Sequence, residues 1–297
     1  MKQVAEWNTA EQTATGPNSP SARDNILRVG QIKFTNALPI CHFLEKNDPT
    51  IQFRPGAPSE LNKWLAEGTV DCGLVSAFAY AERADEYVAL RGLSVSSRGP
   101  VGSIFLFSKK PIEELAGGTV ALTTMSASSI NLAKVLFGEM GIQVNFIPHE
   151  SDLPKMMEKA DAAVLIADDA LYWSVQEHGY YRYDLGEEWN KLTGLSMTFA
   201  VVAVPKKLLQ TNPDKVRRIH RFFLDGKRKG YADMEAVIRE ATRMMGMTEE
   251  FWRTYFAKLI HDFDEDLLTG AEAFFDAAYR HGLLPKPVKV ELWGDEE

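Results

Sequence analysis

Short apolar runs alternate with helical segments from residue 26 onward, and this alternation limits the chain to few architectures. The predicted strands are Leu27–Phe34, Val70–Ser76, Val101–Ser108, Thr119–Thr123, Ala162–Ala167 and Thr198–Pro205. Strands that alternate with helices are typical of a parallel sheet with crossover helices, because a parallel connection must cross from one end of the sheet to the other. The sequence therefore predicts an α/β fold.

The last third of the chain has a different character. Residues 213–283 show apolar residues at helical spacing almost throughout, and a strand-like segment returns only at "VKVELW". We expect two lobes around a cleft. Lobe 1 comprises residues 26–108 plus 205–297 with a helical C-terminal part, lobe 2 comprises 109–204, and 1–25 form a mobile polar tail.

Composition excludes several classes of function. The formal net charge of −8 disfavours general binding to nucleic acids or anionic membranes, because both would be repelled at long range. The two cysteines, Cys41 and Cys72, lack metal-site spacing and indicate incidental thiols in a reducing compartment. Residues 1–25 contain no apolar segment of the secretory type, so we expect a cytoplasmic protein.

Four of the predicted strands end in small polar residues that lead directly into a helix. The junctions are "IKFTN", "CGLVS", "TTMSASS" and "LIADD", which place Thr35, Asn36, Ser76 and Asp168 where a sheet of this class binds ligands. Such residues also serve as helix N-caps, and each junction alone favours that role. The third junction has more hydroxyl groups than a cap needs, because Ser126, Ser128 and Ser129 offer three where one suffices. The junctions together predict a site for a small carboxylate.

The first junction, "VGQIKFTNALPI", contains a proline that suggests where the helix begins. Leu38 precedes Pro39 and is biased away from helical conformation, whereas Pro39 suits the first helical position. We therefore expect Leu38 at the N-cap position. On this interpretation Asn36 is not a cap, and its amide lies in the turn and faces the cleft.

No sequence motif indicates a cofactor or a metal. The chain contains neither a dinucleotide fingerprint nor a P-loop nor a zinc motif, and its six histidines are scattered. The segment "SVSSRGPVGSIFLFS" is by itself a turn followed by a strand. From the residues alone, the prediction is a two-lobed protein that binds a small anion, with no reaction assigned.

In this order, the junction segments resemble the menaquinone-biosynthesis enzymes of the futalosine pathway. The resemblance rests on "VGQIKFTNALPI", "GTVDCGLVSAFAYA", "SRGPVGSIFLFS", "LTTMSASSINL", "AVLIADDAL" and "YDLGEEWNKLTGLSMTFA" and covers nearly all of residues 26–290. It implies a periplasmic-binding-protein-like fold of type II, with two α/β lobes around a ligand cleft. This chain has Ser128 where the family usually has Thr, Ala167 where Gly is common and Ser196 where Pro is usual.

The resemblance also implies a reaction, the loss of water from chorismate to give 3-[(1-carboxyvinyl)oxy]benzoate by a lyase without cofactor or metal. It makes Asn36 the catalytic residue. The substrate-binding residues that it implies are Thr35, Ser76, Ser97, Gly99, Val101, Ser103, Ser126, Ser128, Ser129 and Asp168. The catalytic base stays open between a side chain and a carboxylate of the substrate.

Three other functions compete with this prediction. The sister enzyme of the pathway, 1,4-dihydroxy-6-naphthoate synthase, shares the fold, but its first strand typically runs into a Cys-Pro-Asn-Asp type segment. This chain has Thr35-Asn36-Ala37-Leu38-Pro39 there. A non-catalytic solute-binding protein would need an export signal, and the sensing domain of a transcription regulator would need a DNA-binding module. Residues 1–25 predict neither.

Overall fold

The structure is a computed structural model that describes residues 26–294. The predicted mobile tail, residues 1–25, lies outside the described residues. The strands in chain order are β1 Leu27–Ile32, β2 Ile51–Gly56, β3 Cys72–Ser76, β4 Tyr87–Ser97, β5 Ile104–Ser108, β6 Thr119–Thr123, β7 Asn145–His149, β8 Ala162–Ile166, β9 Tyr181–Asp184, β10 Met197–Pro205 and β11 Leu292–Trp293.

Helices connect and flank these strands. The α-helices are α1 Leu38–Cys41, α2 Pro58–Ala66, α3 Ala77–Glu82, α4 Ala127–Glu139, α5 Leu153–Lys159, α6 Ala167–Ser174, α7 Leu185–Thr193, α8 Lys206–Thr211, α9 Pro213–Ala232, α10 Met234–Met245, α11 Glu249–Phe256 and α12 Glu265–Arg280. Short 3₁₀ turns occupy Thr35–Ala37 and Ile112–Glu114. No helix within the described range is long and apolar enough to cross a membrane.

The strands form two mixed sheets. The first has the order β11-β4-β10-β3-β1-β2 and the second has the order β7-β6-β8-β5-β9. Strand β10 runs antiparallel to both of its neighbours, β3 and β4, and β5 runs antiparallel to β8 and β9. The predicted α/β class is confirmed, but each sheet contains an antiparallel strand that the alternation of strands and helices did not indicate.

The strand pairing moves both predicted lobe boundaries. Strand β5 belongs to the second sheet, whereas the prediction placed it in lobe 1 within residues 26–108. Strand β10 belongs to the first sheet, whereas the prediction placed nearly all of it in lobe 2 within residues 109–204. Each boundary was set one strand too late, because the chain crosses between the sheets before these strands and not after them.

The helical part after β10 packs on the first sheet and reaches the turn that carries Asn36. Two glycines of α9 allow α1 to approach closely. A Cβ atom at Gly226 would lie 2.6 Å from the main-chain oxygen of Ile40, and one at Gly230 would lie 2.0 Å from that of Pro39. Both distances are shorter than van der Waals contact, so only glycine fits at these two positions. The backbone of α9 therefore packs directly against the backbone of α1.

This packing explains why the predicted cap is wrong. Leu38 has helical dihedral angles, φ −56° and ψ −40°, and Pro39 lies in the first turn of α1 rather than marking its start. The bias against helical conformation before proline is a preference, and here the close contact with α9 overrides it. Asn36 lies inside the 3₁₀ turn and its side chain makes no cap hydrogen bond, as predicted.

Candidate active site

A cavity lies between the two sheets, at the ends of strands that lead into α1, α3, α4 and α6. Its lining residues are Ile32, Phe34, Asn36, Pro58, Leu74, Ser76, Val95, Ile104, Ser126, Ser129, Ile166, Ala167, Phe199 and Ala200. Among these residues none carries a charged side chain. The lining therefore combines an apolar wall with one amide and three hydroxyl groups, and four predicted site residues, Asn36, Ser76, Ser126 and Ser129, lie in it.

Asn36 is the most unusual of these residues. Its Oδ1 atom is buried and accepts no hydrogen bond from any residue in the described range. A buried polar atom without a partner costs about 1–3 kcal/mol, so folded proteins rarely keep one without a reason. Since Asn36 lines the cavity, a ligand there that donates a hydrogen bond to this oxygen would satisfy it.

Ser76 and Ser128 form hydrogen bonds that join the two lobes beside the cavity. Their hydroxyl oxygens are 2.8 Å apart. The amide N–H of Ser128 donates to Oγ of Ser76 at 3.0 Å, and the amide of Phe78 donates to Oγ of Ser128 at 3.0 Å. Each serine thus caps the first turn of the helix in the opposite lobe, α4 or α3. The two positive helix ends therefore face one another.

Ser126 and Ser129 close the first turn of α4. Oγ of Ser126 accepts a hydrogen bond from the amide of Ser129 at 3.4 Å, and the two hydroxyl oxygens are 3.2 Å apart. Ser126 is therefore an N-cap, the alternative that the sequence had left open. Since both side chains also line the cavity, capping and contact with a ligand are compatible for this pair.

Thr35 and Asp168 form a second connection between the lobes. The amide and the hydroxyl of Thr35 donate to Oδ1 of Asp168 at 3.1 Å and 2.7 Å. Burial raises the pKa of the Asp168 carboxyl above its usual range, and the hydrogen bonds from Thr35 oppose that rise. Neither residue lines the cavity, so their predicted contact with substrate stays a prediction.

The turn before Asp168 is under backbone strain. Ala167 has φ +48°, a left-handed conformation that no other non-glycine residue in the described part of the chain adopts. For an L-residue this conformation costs about 1–2 kcal/mol. Ala167 stands where the family commonly has glycine, and its amide donates to the main-chain oxygen of Ser103 at 2.7 Å.

The remaining predicted residues lie in the connection from β4 to β5 and not in the cavity lining. Ser97 donates to the main-chain oxygen of Gly99 at 2.9 Å, and the hydroxyl of Ser103 accepts from that of Tyr255 at 3.0 Å. The amide of Val101 donates to Oδ1 of Asp184 at 3.1 Å. These contacts hold the connection between the lobes, and substrate contact by Ser97, Gly99, Val101 and Ser103 stays a prediction.

Asp184 holds this connection in place through hydrogen bonds, and the sequence analysis did not predict that role. Besides Val101, its carboxylate accepts the amides of Gly102, Gly186 and Glu187 at 2.6, 2.9 and 3.2 Å. It is the N-cap of α7 and also binds the chain that crosses between the sheets. The signal was the segment "YDLGEE", in which an aspartate precedes acidic residues at a helix start.

The lobes are closed on one another in this conformation. The cavity measures about 40 Å³, well below the roughly 150 Å³ of a protein cavity that binds benzene. A ligand with a six-membered ring needs the lobes to separate. The hydrogen bonds of Ser76 with Ser128, and of Thr35 with Asp168, join the lobes and must lengthen or exchange partners when the cleft opens.

The described residues offer no metal site, since no three of their His, Cys, Asp and Glu side chains are grouped suitably. Both cysteines are buried, in agreement with the prediction of incidental thiols.

His261 is a buried residue that the sequence analysis did not single out, because nothing in the residues around it distinguishes it. Its Nε2 atom is 2.8 Å from the main-chain oxygen of Asn36.

The fold is similar to several solved structures, among them a binding protein. A protein of Archaeoglobus fulgidus matches with a TM-score of 0.69 at 18% identity, over 88% of this chain and 99% of the other. The periplasmic aliphatic sulphonate binding protein of Escherichia coli matches with a TM-score of 0.63 at 18% identity, over 92% and 95%. The predicted periplasmic-binding-protein-like fold is confirmed.

Two curated relatives from Thermus thermophilus are enzymes. Chorismate dehydratase is 28% identical over 264 residues, which cover 84% of this chain and 94% of the relative. The 1,4-dihydroxy-6-naphthoate synthase is 25% identical over 241 residues, which cover 77% and 85%. A family model described as menaquinone biosynthesis matches residues 27–280, which contain the strands β1 to β10 and the helices α1 to α12. The chain therefore belongs to the menaquinone biosynthesis family.

Proposed function

We propose that this protein is a hydro-lyase that removes water from chorismate to give 3-[(1-carboxyvinyl)oxy]benzoate. The observation that carries the proposal is the unpaired side-chain oxygen of Asn36, a residue that lines an uncharged cavity beside the starts of α3 and α4. The family and the similarity to a chorismate dehydratase support it.

The cleft suits a substrate with two carboxylates. Amide N–H groups at the starts of α3 and α4, together with the hydroxyls of Ser76, Ser126 and Ser129, are donors that bind carboxylates without a cationic side chain. When the lobes open, Ser76 and Ser128 release the amides that they now cap across the cleft. Substrate carboxylates would then accept the hydrogen bonds of these amides, and the serine hydroxyls would be free to donate to the carboxylates.

For this reaction the orientation of the substrate matters more than a strong acid or base. A ring C–H bond breaks and its proton goes to a base, while the electron pair forms a new ring double bond. The adjacent C–O bond breaks, and the leaving hydroxide takes up a proton and departs as water. Since the product ring is aromatic, the elimination is strongly favoured. The enzyme must align the two bonds and exclude bulk water.

The base in this proposal is a carboxylate of the substrate. Of the described residues that line the cavity, none has a side chain that titrates near neutral pH. A carboxylate in an apolar site without a cationic partner has a raised pKa and is a stronger base than in water. Asn36 would hold the hydroxyl or the carboxylate in place through its amide.

The serines of α4 give a test of the binding mode. We expect Ser129→Ala to weaken chorismate binding about fivefold, since a lost hydrogen bond costs about 1 kcal/mol, with little change in melting temperature. Ser128→Ala should weaken binding and also lower the melting temperature, because its hydroxyl joins the lobes. Affinity is measured by calorimetry in the Asn36→Ala background, so that turnover does not consume the ligand.

A serine outside the cavity serves as the matched control. Ser174 bonds to the main chain of its own helix, with its hydroxyl donating to Leu171 at 2.7 Å, and Ser174→Ala should leave chorismate affinity unchanged. If Ser128→Ala and Ser129→Ala lowered only the melting temperature, both serines would be structural caps and the proposed carboxylate site would be wrong.

Two other functions are compatible with the same fold. The chain also resembles a 1,4-dihydroxy-6-naphthoate synthase, and sulphonate-binding proteins share its architecture. Incubation with chorismate followed by mass spectrometry separates these possibilities. The dehydrated product supports the proposal, whereas tight binding with unchanged chorismate would indicate a non-catalytic binding protein. If the protein neither bound chorismate nor formed product from it, the naphthoate synthase activity would be favoured.

A further inference from the structure

His261 is a buried histidine outside the cavity lining, and it contacts the main chain of the residue proposed to be catalytic. Its side chain is 1% exposed. The imidazole lies between the turn that carries Asn36 and helix α9. Its Nε2 atom is 2.8 Å from the main-chain oxygen of Asn36, and its Nδ1 atom is 2.9 Å from the hydroxyl of Tyr231.

These two contacts determine the tautomer of the ring. A carbonyl oxygen can only accept a hydrogen bond, so Nε2 must carry the hydrogen and donate to Asn36. In the neutral ring Nδ1 then has a lone pair, which accepts the hydroxyl hydrogen of Tyr231. Hydrogen bonds therefore run in one direction, from Tyr231 to His261 and from His261 to Asn36.

The ring is held neutral and rigid. Burial lowers the pKa of His261 to about 4, although the hydrogen bond to Asn36 opposes this shift. The charged neighbours are Lys227 of α9 and Asp262 of its own segment, whose Nζ and Oδ1 atoms are 2.6 Å apart. Their effects on the pKa of the ring are opposite, since the cation lowers it and the anion raises it.

The backbone around His261 is fixed by a strand. The amide of Ser94 donates to the main-chain oxygen of His261 at 3.3 Å, and Ile260 pairs with Ser96 through hydrogen bonds of 2.9 Å in both directions. The segment from 260 to 262 therefore lies against β4, with an isolated antiparallel bridge between Ile260 and Ser96. An imidazole on such a support can hold the Asn36 turn in one position.

We propose that His261 is a positioning residue that, oriented by Tyr231, holds the Asn36 turn so that the Asn36 amide meets the substrate in the productive geometry. The inference rests on the proposed function. The main-chain oxygen of Asn36 contacts His261, and Asn36 lines the cavity. Loss of the hydrogen bond from His261 would let the side-chain amide of Asn36 move. Small displacements of a group that contacts the substrate lower turnover sharply.

The test compares three histidine variants. His261→Leu should lower kcat for chorismate at least tenfold with KM changed less than threefold, whereas His261→Gln, which keeps a donor for the oxygen of Asn36, should restore kcat to within about threefold. His220→Leu is the matched control. His220 is also buried and its Nε2 atom is 2.8 Å from a main-chain oxygen, but that oxygen belongs to Arg91.

A double-mutant cycle separates positioning from general destabilisation. In the Asn36→Ala background, His261→Leu should lower kcat/KM by no more than about twofold, because the group that it positions is gone. A normal kcat in His261→Leu, an equal loss in His261→Gln, or an undiminished loss in the Asn36→Ala background would overturn the inference.

Nuclear magnetic resonance tests the inference without turnover. We expect the ¹⁵N shifts of His261 in the wild-type protein to show the neutral Nε2–H tautomer throughout pH 8 to 5, and Tyr231→Phe to disturb it. The side-chain amide signals of Asn36 should move in Tyr231→Phe and His261→Leu but not in His220→Leu. Unmoved signals, or an Nδ1–H tautomer, would contradict the inference. Absence of wild-type turnover alone would contradict only the proposed function.

Discussion

Replacing Asn36 with alanine is expected to lower kcat/KM for chorismate by about 100-fold or more, while the protein stays folded. Removing one preorganised hydrogen-bonding group from an active site typically costs that much. The Oδ1 atom of Asn36 is buried at the cavity without a partner among the described residues, so its removal leaves no native hydrogen bond broken. Initial rates and urea unfolding are measured on the same preparation.

The competing account makes the Asn36 side chain a structural element of the first turn. It predicts a lower unfolding midpoint with near-normal turnover, which would refute the catalytic role. Asn131→Ala is a control for loss of an amide. That side chain bonds to the main chain of Ala127 at 3.0 Å in its own helix, and its loss should leave kcat/KM within about twofold of wild type.

Replacing Asp184 with alanine is expected to give the largest loss of stability, about 3 kcal/mol or more in the free energy of unfolding. Its carboxylate is 7% exposed and accepts four main-chain amides, from Val101, Gly102, Gly186 and Glu187. Alanine would leave these N–H groups without their acceptor, and each unpaired buried donor is costly. The midpoint of urea unfolding should fall clearly.

The matched control is another aspartate N-cap. Asp152 begins α5 and accepts one amide, that of Lys155 at 3.2 Å, in an exposed position. Asp152→Ala should cost about 1 kcal/mol, the typical value for an N-cap, and Asp184→Asn should be intermediate because it keeps one oxygen acceptor. Equal losses in Asp184→Ala and Asp152→Ala would show that Asp184 is an ordinary cap and does not hold the connection between the lobes.

Six strands were predicted from their apolar runs. β1, β3, β5, β6, β8 and β10 were each predicted to within three residues at either end. The interior strand β4 was missed, because Arg91 and Gly92 interrupt its apolar run. Edge strands were missed too. β2 contains Arg54 and Pro55, and β7 is largely exposed, so neither carries the pattern of a buried strand. Which sheet a strand joins depends on contacts far along the chain, which explains the misplaced boundaries.

The residues of the candidate site were predictable from the sequence, but the contacts between them were not. Asn36 and the serines follow strands that enter helices, a local pattern, and the sequence alone indicated them. The partners of these residues are distant in sequence. Ser76 meets Ser128, Thr35 meets Asp168, and His261 reaches Asn36 across 225 positions. No local pattern specifies such pairs, because the packing of the lobes brings them together.

The central claim is that the residues of this cleft dehydrate chorismate by themselves. Its most direct measurement is the rate at which chelator-treated protein, with no added metal, nucleotide or redox cofactor, forms product from excess chorismate. We expect 3-[(1-carboxyvinyl)oxy]benzoate, identified by mass and ultraviolet absorbance, in many equivalents per protein molecule. No product, or product only after a cofactor is added, would contradict the claim.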